Sequence, residues 1–248
     1  MNGDDIRWIF FDVGETLLSE EDAIRDRIRQ VIASAKARGY RFGEDEVRQA
    51  LERSILAFAP SPMRAAIDLL VEDAEDRKYI KDKDRLTYRF ELEKPYPDAH
   101  RVLEALFPRY KLGIIANQLP GTAERLREHG LLKYFSVCCA SAEVGLSKPD
   151  PEFFRYALKL ADCDAAQAAM VGDRIDNDII PAKAVGMRTI RILQGTNRIQ
   201  QPRDRSEAPH AEVRSLTELL TLFETPSFPR RTPHPGSEDH ESSSPGSS

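Results

Sequence analysis

The chain has 248 residues, 41% hydrophobic and 31% charged, with a net charge of -5 at pH 7. That length and apolar share suit one soluble core domain with an insert. The mild acidity, without a basic block, argues against a nucleic-acid partner. No apolar run reaches membrane-spanning length and no signal peptide is recognisable, so the expectation is a cytoplasmic protein without a membrane partner, monomeric or homodimeric.

In chain order, Trp8, Ile9, Phe10 and Phe11 predict a buried parallel strand that ends abruptly in Asp12, followed by a turn at Gly14. Ligands bind at the carboxyl ends of strands in open α/β sheets, which makes Asp12 a candidate nucleophile or metal ligand. An isolated Asp at such a turn is more often a solvated carboxylate, so the later segments decide its weight.

Residues 21–93 read almost wholly as helix. Ile24, Ile28, Val31 and Ile32 recur at helical spacing; Val47, Leu51, Ile55 and Leu56 do so after Gly43, and Ile67, Leu70 and Val71 after Pro62. A fourth helix is expected to carry Leu86, Tyr88, Phe90 and Leu92 up to Pro95.

From residue 98 the pattern alternates: helix 98–107, strand 111–116 running into Asn117, helix 121–129, strand 135–140, helix 151–161, strand 168–172, helix 177–185 and strand 187–192. A short element at Ala211 to Val213 and a helix from Leu216 to Phe223 follow. Such alternation predicts a parallel sheet with right-handed crossovers. Residues 226–248, rich in Pro, Ser and Gly, predict a disordered tail. Cys138, Cys139 and Cys163 lack metal or redox spacing and read as reduced, buried small hydrophobes.

Lys148 stands in the turn Ser147-Lys148-Pro149-Asp150-Pro151, where a cation beside carboxylates would neutralise a nucleophile and hold a phosphate. The strand ending at Val171 runs into Gly172 and then Asp173, Asp176 and Asp178. Carboxylates in that density suit a hard cation such as magnesium, although Asp176 also fits a helix N-cap.

Taken together, Asp12 to Leu17, Ala116 and Asn117, Lys148, and Gly172 to Asp178 resemble in order and spacing the four motifs of the haloacid dehalogenase (HAD) superfamily, over roughly residues 6–222. The resemblance implies an α/β fold: a Rossmann-like parallel sheet core (1–20 and 94–225) with an inserted α-helical cap (21–93). It implies a hydrolase, most readily a phosphatase of a small phosphorylated metabolite, with Asp12 forming an aspartyl-phosphate and Lys148 stabilising charge. Magnesium would be held by Asp12, the Gly14 carbonyl, Asp173 and Asp178, and substrate by Thr16, Asn117 and Lys148.

Two positions depart from the family pattern. The second aspartate of the first motif, the usual general acid, is Gly14, and the Ser or Thr of the second motif is Ala116. A positioned proton donor contributes about 10²- to 10⁴-fold, most for a poor leaving group, so aryl phosphates are expected to be cleaved in preference to alkyl ones. Glu15 is adjacent, but neighbours in an extended segment point to opposite sides. Backbone N–H groups near Asn117 and Gln118 remain to replace the hydroxyl lost at Ala116.

The cap would select the substrate. Arg25, Arg29, Arg53 and Arg64 are candidates to meet a second anionic group there, yet read more simply as a solvated face. Two other functions stay open: a catalytically weak phosphate-ligand binder, and a dehalogenase, whose halide leaves without a proton and without magnesium.

Overall fold

A computed structural model describes residues 6–224, so the predicted tail at 226–248 lies outside the described residues. Strand β1 (Trp8–Phe11) is followed by the short β2 (Leu18–Ser19) and four helices: α1 (Glu21–Ala37), α2 (Glu44–Leu56), α3 (Pro62–Leu70) and α4 (Ala74–Leu86). Strand β3 (Lys94–Pro95) returns antiparallel to β2, so the helices enter and leave through one two-stranded stem. The chain then alternates through α5 (Ala99–Leu106), β4 (Lys111–Ala116), α6 (Thr122–Glu128), β5 (Val137–Ala140), the short α7 (Ser141–Val144), α8 (Pro151–Leu160) and β6 (Ala168–Gly172). A π-helical turn (Ile175–Ile179), α9 (Ile180–Ala184), β7 (Arg188–Ile192), β8 (Ala211–Val213) and α10 (Leu216–Glu224) complete it.

The six-stranded sheet has the order β5-β4-β1-β6-β7-β8, and every pairing is parallel. Phe11 stands opposite Ile114 of β4 and Val171 of β6. The chain leaves β1 first to one side and later crosses to the other, which opens a crevice at the carboxyl ends of β4, β1 and β6.

Side chains alternate across the sheet with period two. Ile9 and Phe11 join Ile114 and Val171 against α5 and α10, while Trp8 and Phe10 join Met170 and Ile115 against α8. Helices α1 to α4 enclose a third apolar cluster that includes Ile28, Val31, Val47, Ile55, Met63, Ile67 and Ile80. The three cysteines are free, Cys139 buried as expected but Cys138 and Cys163 only half-buried, and desolvation pushes the Cys138 and Cys139 thiols up to about 11 and 12. No helix among the described residues is long and apolar enough to cross a membrane.

Several elements differ from the sequence expectation. The predicted fourth helix over Leu86 to Leu92 is absent; only a 3-10 turn (Phe90–Leu92) lies there, and α4 occupies Ala74–Leu86 instead. Helix α4 is charged around most of its circumference and its one fully buried apolar residue is Ile80, so apolar spacing cannot reveal it. Its local signal is the N-cap: Asp73 Oδ1 accepts the N–H groups of Glu75 and Asp76 at 2.9 Å each. The helix expected over 177–185 is split into the π-helical turn and α9, with Pro181 in the first turn, the position that tolerates a missing N–H.

Candidate active site

β1 carries Asp12 just past its last rung, where the Asp12 N–H donates to the Val171 carbonyl at 2.9 Å. β6 delivers Asp173 beside it, and the π-helical turn folds Asp178 back over Gly172. A Cβ at position 172 would stand 2.3 Å from Asp178 Cγ, so this approach requires glycine. One carboxylate oxygen from each of Asp12, Asp173 and Asp178 lies within 4.8 Å of the others, and all three residues are buried.

Lys148, from the loop before α8, inserts between them with its side chain only 2% exposed, and its Nζ donates to Asp12 Oδ1 and Asp178 Oδ1 at 2.6 Å each. The other Asp178 oxygen accepts the Arg174 N–H at 3.0 Å. Asn197 Nδ2 donates to Asp173 Oδ2 at 2.8 Å. Asp12 Oδ2 and Asp173 Oδ1 therefore keep lone pairs free of any donor among the described residues, whereas both oxygens of Asp178 are engaged.

Three enclosed carboxyls face one ammonium. Burial, with Asp178 and Asp12 alongside, holds the Asp173 carboxyl well above the ordinary carboxylate range, and burial pushes Asp178 up to about 6 against the pull of Lys148. Burial works against the Lys148 charge, but Asp12 and Asp178 more than offset it and keep its pKa above the ordinary lysine value. Clustered, hard, under-compensated oxygen donors fit a divalent cation such as magnesium.

These groups floor a cavity of about 280 Å³ whose far wall comes from α1, α2 and the start of α3, with Ile24, Leu51, Ile55 and Met63 among its lining. Gly14, Asn117, Lys148 and the three aspartates all line it. Asn117 does so with its amide already engaged: Oδ1 accepts the Lys148 N–H at 2.8 Å and Nδ2 donates to the Lys148 carbonyl at 2.7 Å. Thr16, expected to touch substrate, is fully enclosed and is not part of the wall. The turn in which Leu17 and Leu18 both donate to the Val13 carbonyl folds it inward, and its hydroxyl finds no partner among the described residues.

Asp176 turns away to Arg174, with Nη2 to Oδ2 at 2.5 Å. Glu15 adopts a left-handed backbone (φ 55°) and its carboxylate accepts the Glu20 N–H at 2.7 Å and the Tyr96 hydroxyl at 3.0 Å. None of Arg25, Arg29, Arg53 and Arg64 lines the cavity.

Among the lining residues that the sequence does not single out are Glu20, Arg27, Arg174 and Asn197. Burial, then Glu93, Glu15 and Asp12 in turn, push Glu20 up to about 8. Arg27 is held by both oxygens of Asp84 at 2.8 and 2.7 Å. Arg174 reaches across to the Ala59 carbonyl at 3.0 Å. Asn197 sits in a loop fastened by the fully buried Arg191, whose Nη2 donates to the carbonyls of Asn197 and Gln200 at 3.1 and 2.9 Å. Glu20, Arg174 and Asn197 come from segments without periodicity, and Arg27 stands between the apolar positions of α1; the one available signal is Arg191, flanked by Ile190 and Ile192 in β7.

A profile of haloacid dehalogenase-like hydrolases matches residues 6–186. The glyceraldehyde 3-phosphate phosphatase of Methanocaldococcus jannaschii is 31% identical over 224 residues, spanning 88% of this chain and 96% of that protein. The phosphoserine phosphatase of Thermus thermophilus is 35% identical over 127 residues, 50% of this chain and 49% of that one. Among solved structures, a HAD phosphatase from Thermococcus onnurineus matches with a TM-score of 0.61 at 27% identity, covering 88% of this chain and 97% of its own. The HAD-hydrolase YfnB from Bacillus subtilis, bound to magnesium, matches with a TM-score of 0.67, covering 89% and 100%; at 22% identity it speaks for the fold alone. With its parallel core, its motif residues gathered at three adjacent strand ends and these relatives, the chain belongs to the haloacid dehalogenase-like hydrolase family.

Proposed function

We propose that the protein is a magnesium-dependent phosphatase of a small phosphorylated metabolite, working through an aspartyl-phosphate at Asp12. The observation that carries this reading is the set of free lone pairs on Asp12, at the floor of a cleft open to solvent and beside the buried Lys148 ammonium. Asp12 Oδ2 attacks the phosphorus in line, and the bond to the leaving oxygen breaks. Lys148 neutralises charge on the phosphoryl group, and Asn117, by gripping the Lys148 backbone, holds that ammonium in place. Direct donation to a phosphate oxygen from Asn117 falls to its backbone N–H. Magnesium held by Asp12, the Gly14 carbonyl, Asp173 and Asp178 supplies further positive charge to the phosphoryl oxygens when bound.

Residues 21–93 act in this reading as the cap. Its contribution to the wall is mainly apolar, and its one lining cation, Arg27, is committed to Asp84. A distal anionic group therefore finds no free partner there, which favours a monophosphate with a short, uncharged remainder. The name of the Methanocaldococcus jannaschii relative, a glyceraldehyde 3-phosphate phosphatase, supports a substrate of that class.

The test is phosphate release from 4-nitrophenyl phosphate and glyceraldehyde 3-phosphate, with magnesium and after chelation, by the wild-type chain and Asp12→Asn. Release that needs both magnesium and Asp12 is expected. No release from either ester at any magnesium concentration would overturn the proposal in favour of a phosphate-binding relative or a non-phosphate substrate.

A further inference from the structure

The place left by the missing side chain at position 14 is filled. A Cβ built on Gly14 would stand 2.2 Å from Glu20 Oε1 and 2.9 Å from Glu20 Cδ, so a carboxyl group already occupies the direction in which residue 14 would project. That carboxyl belongs to a residue on the wall of the cavity floored by Asp12, Asp173 and Lys148. It accepts no hydrogen bond from a described protein group, whereas its backbone is pinned: the Glu20 N–H donates to Glu15 Oε1 at 2.7 Å, and the Tyr96 hydroxyl holds Glu15 Oε2 at 3.0 Å. Glu15 is thus the brace and Glu20 is the braced group. Position 20 is also the last residue before α1, at the entry to the helical insert, so the side chain is anchored where the two parts of the molecule meet.

We infer that Glu20 is the proton-transfer residue of this site, supplying from the start of α1 the carboxyl that Gly14 lacks. The inference rests on the phosphatase reading above and names a further residue for it. As the bond between phosphorus and the ester oxygen breaks, its electron pair goes to that oxygen and the Glu20 proton goes with it, releasing an alcohol. Glu20, then ionised, takes a proton from the water that attacks the phosphorus of the aspartyl-phosphate; the bond to Asp12 breaks, its electron pair returns to the Asp12 carboxylate, and inorganic phosphate leaves. The sequence expectation that alkyl esters are poor substrates is thereby reversed.

The experiment compares glycerol 3-phosphate, an alkyl ester, with 4-nitrophenyl phosphate, whose phenolate leaves without a proton, in wild type and Glu20→Gln. The alkyl kcat/KM should fall about 10²- to 10⁴-fold, and the aryl value less than about tenfold by the same reasoning. A structural role would lower both alike. Gly14→Asp alone would collide with Glu20, but Gly14→Asp combined with Glu20→Ala returns a carboxyl to position 14 in vacated room, and it should recover most of the alkyl rate lost in Glu20→Ala. This pair decides the matter if Glu20→Gln does not fold. Equal losses on the two esters, or no loss on either, would overturn the inference and leave the phosphatase reading intact. Failure of the wild type to cleave either ester would instead remove the phosphatase reading, and this inference with it.

Discussion

Replacing Lys148 with methionine keeps an unbranched apolar stem one atom shorter and removes one buried charge. In the wild type that ammonium lies 2.6 Å from both Asp12 and Asp178 and is almost wholly enclosed. Removing one partner of a buried ion pair leaves uncompensated charge and costs about 3–5 kcal/mol. At roughly 2–4 °C per kcal/mol for a chain of this size, melting should drop by about 10 °C in metal-free buffer near pH 8.

The pH dependence gives the sign. Asp178 titrates in the folded chain at about 6 against an ordinary 3.8, and Asp173 is shifted in the same direction. The folded chain therefore binds the extra proton, and the stability tied to it is lost as pH rises from about 4 through 6. Without Lys148, which pulls Asp178 down, that shift grows. The variant should thus suffer most above pH 6 and approach wild type at about pH 5, where Asp173 and Asp178 hold their protons. Lys148 itself stays charged throughout, because its pKa is raised from an already high value. Thermal melts of both chains at the two pH values, with metal chelated, check this. A deficit of equal size at both, or none near pH 8, would refute the idea that Lys148 compensates the acidic cluster.

Other consequences are equally open to measurement. Gly172→Ala would drive a methyl into Asp178, 2.3 Å from its Cγ; it should cost about 1–3 kcal/mol in urea unfolding and most of the activity, and an unchanged midpoint would contradict the packing described. Asn197→Ala removes the donor to Asp173 Oδ2; magnesium affinity by calorimetry should weaken about 10- to 100-fold, and an unaltered Kd would show that Asn197 does not orient the ligand. Magnesium at about one hundred times its Kd should stabilise the wild-type chain by about 2.7 kcal/mol. That gain should vanish in Asp173→Asn, and its persistence would place the ion elsewhere.

How far the sequence discloses this site depends on where each residue comes from. Asp12 and Asp173 are legible because each ends an apolar strand, and the parallel sheet fixes those ends side by side. Lys148 and Asp178 are legible through their place in the motif order, although nothing in the sequence shows one ammonium bridging two carboxylates. Glu20, Arg27 and Asn197 are illegible. Their positions depend on a left-handed turn at Glu15, a pairing with the remote Asp84, and a loop held by the buried Arg191. Thr16 lies enclosed behind the cavity wall because the turn after Asp12 folds back on itself, an orientation that its place in the motif does not reveal. The α4 helix was misplaced because its packing rests on one isoleucine and its start on one capping aspartate.

The most direct test of the account is to trap the covalent intermediate. Wild-type turnover of 4-nitrophenyl phosphate with magnesium is quenched in acid and the peptide containing Asp12 is weighed by mass spectrometry. The account requires the added mass of one phosphoryl group on Asp12, absent in Asp12→Asn together with all phosphate release. Phosphate release that proceeds without phosphorylation of Asp12, or that survives Asp12→Asn, would contradict it.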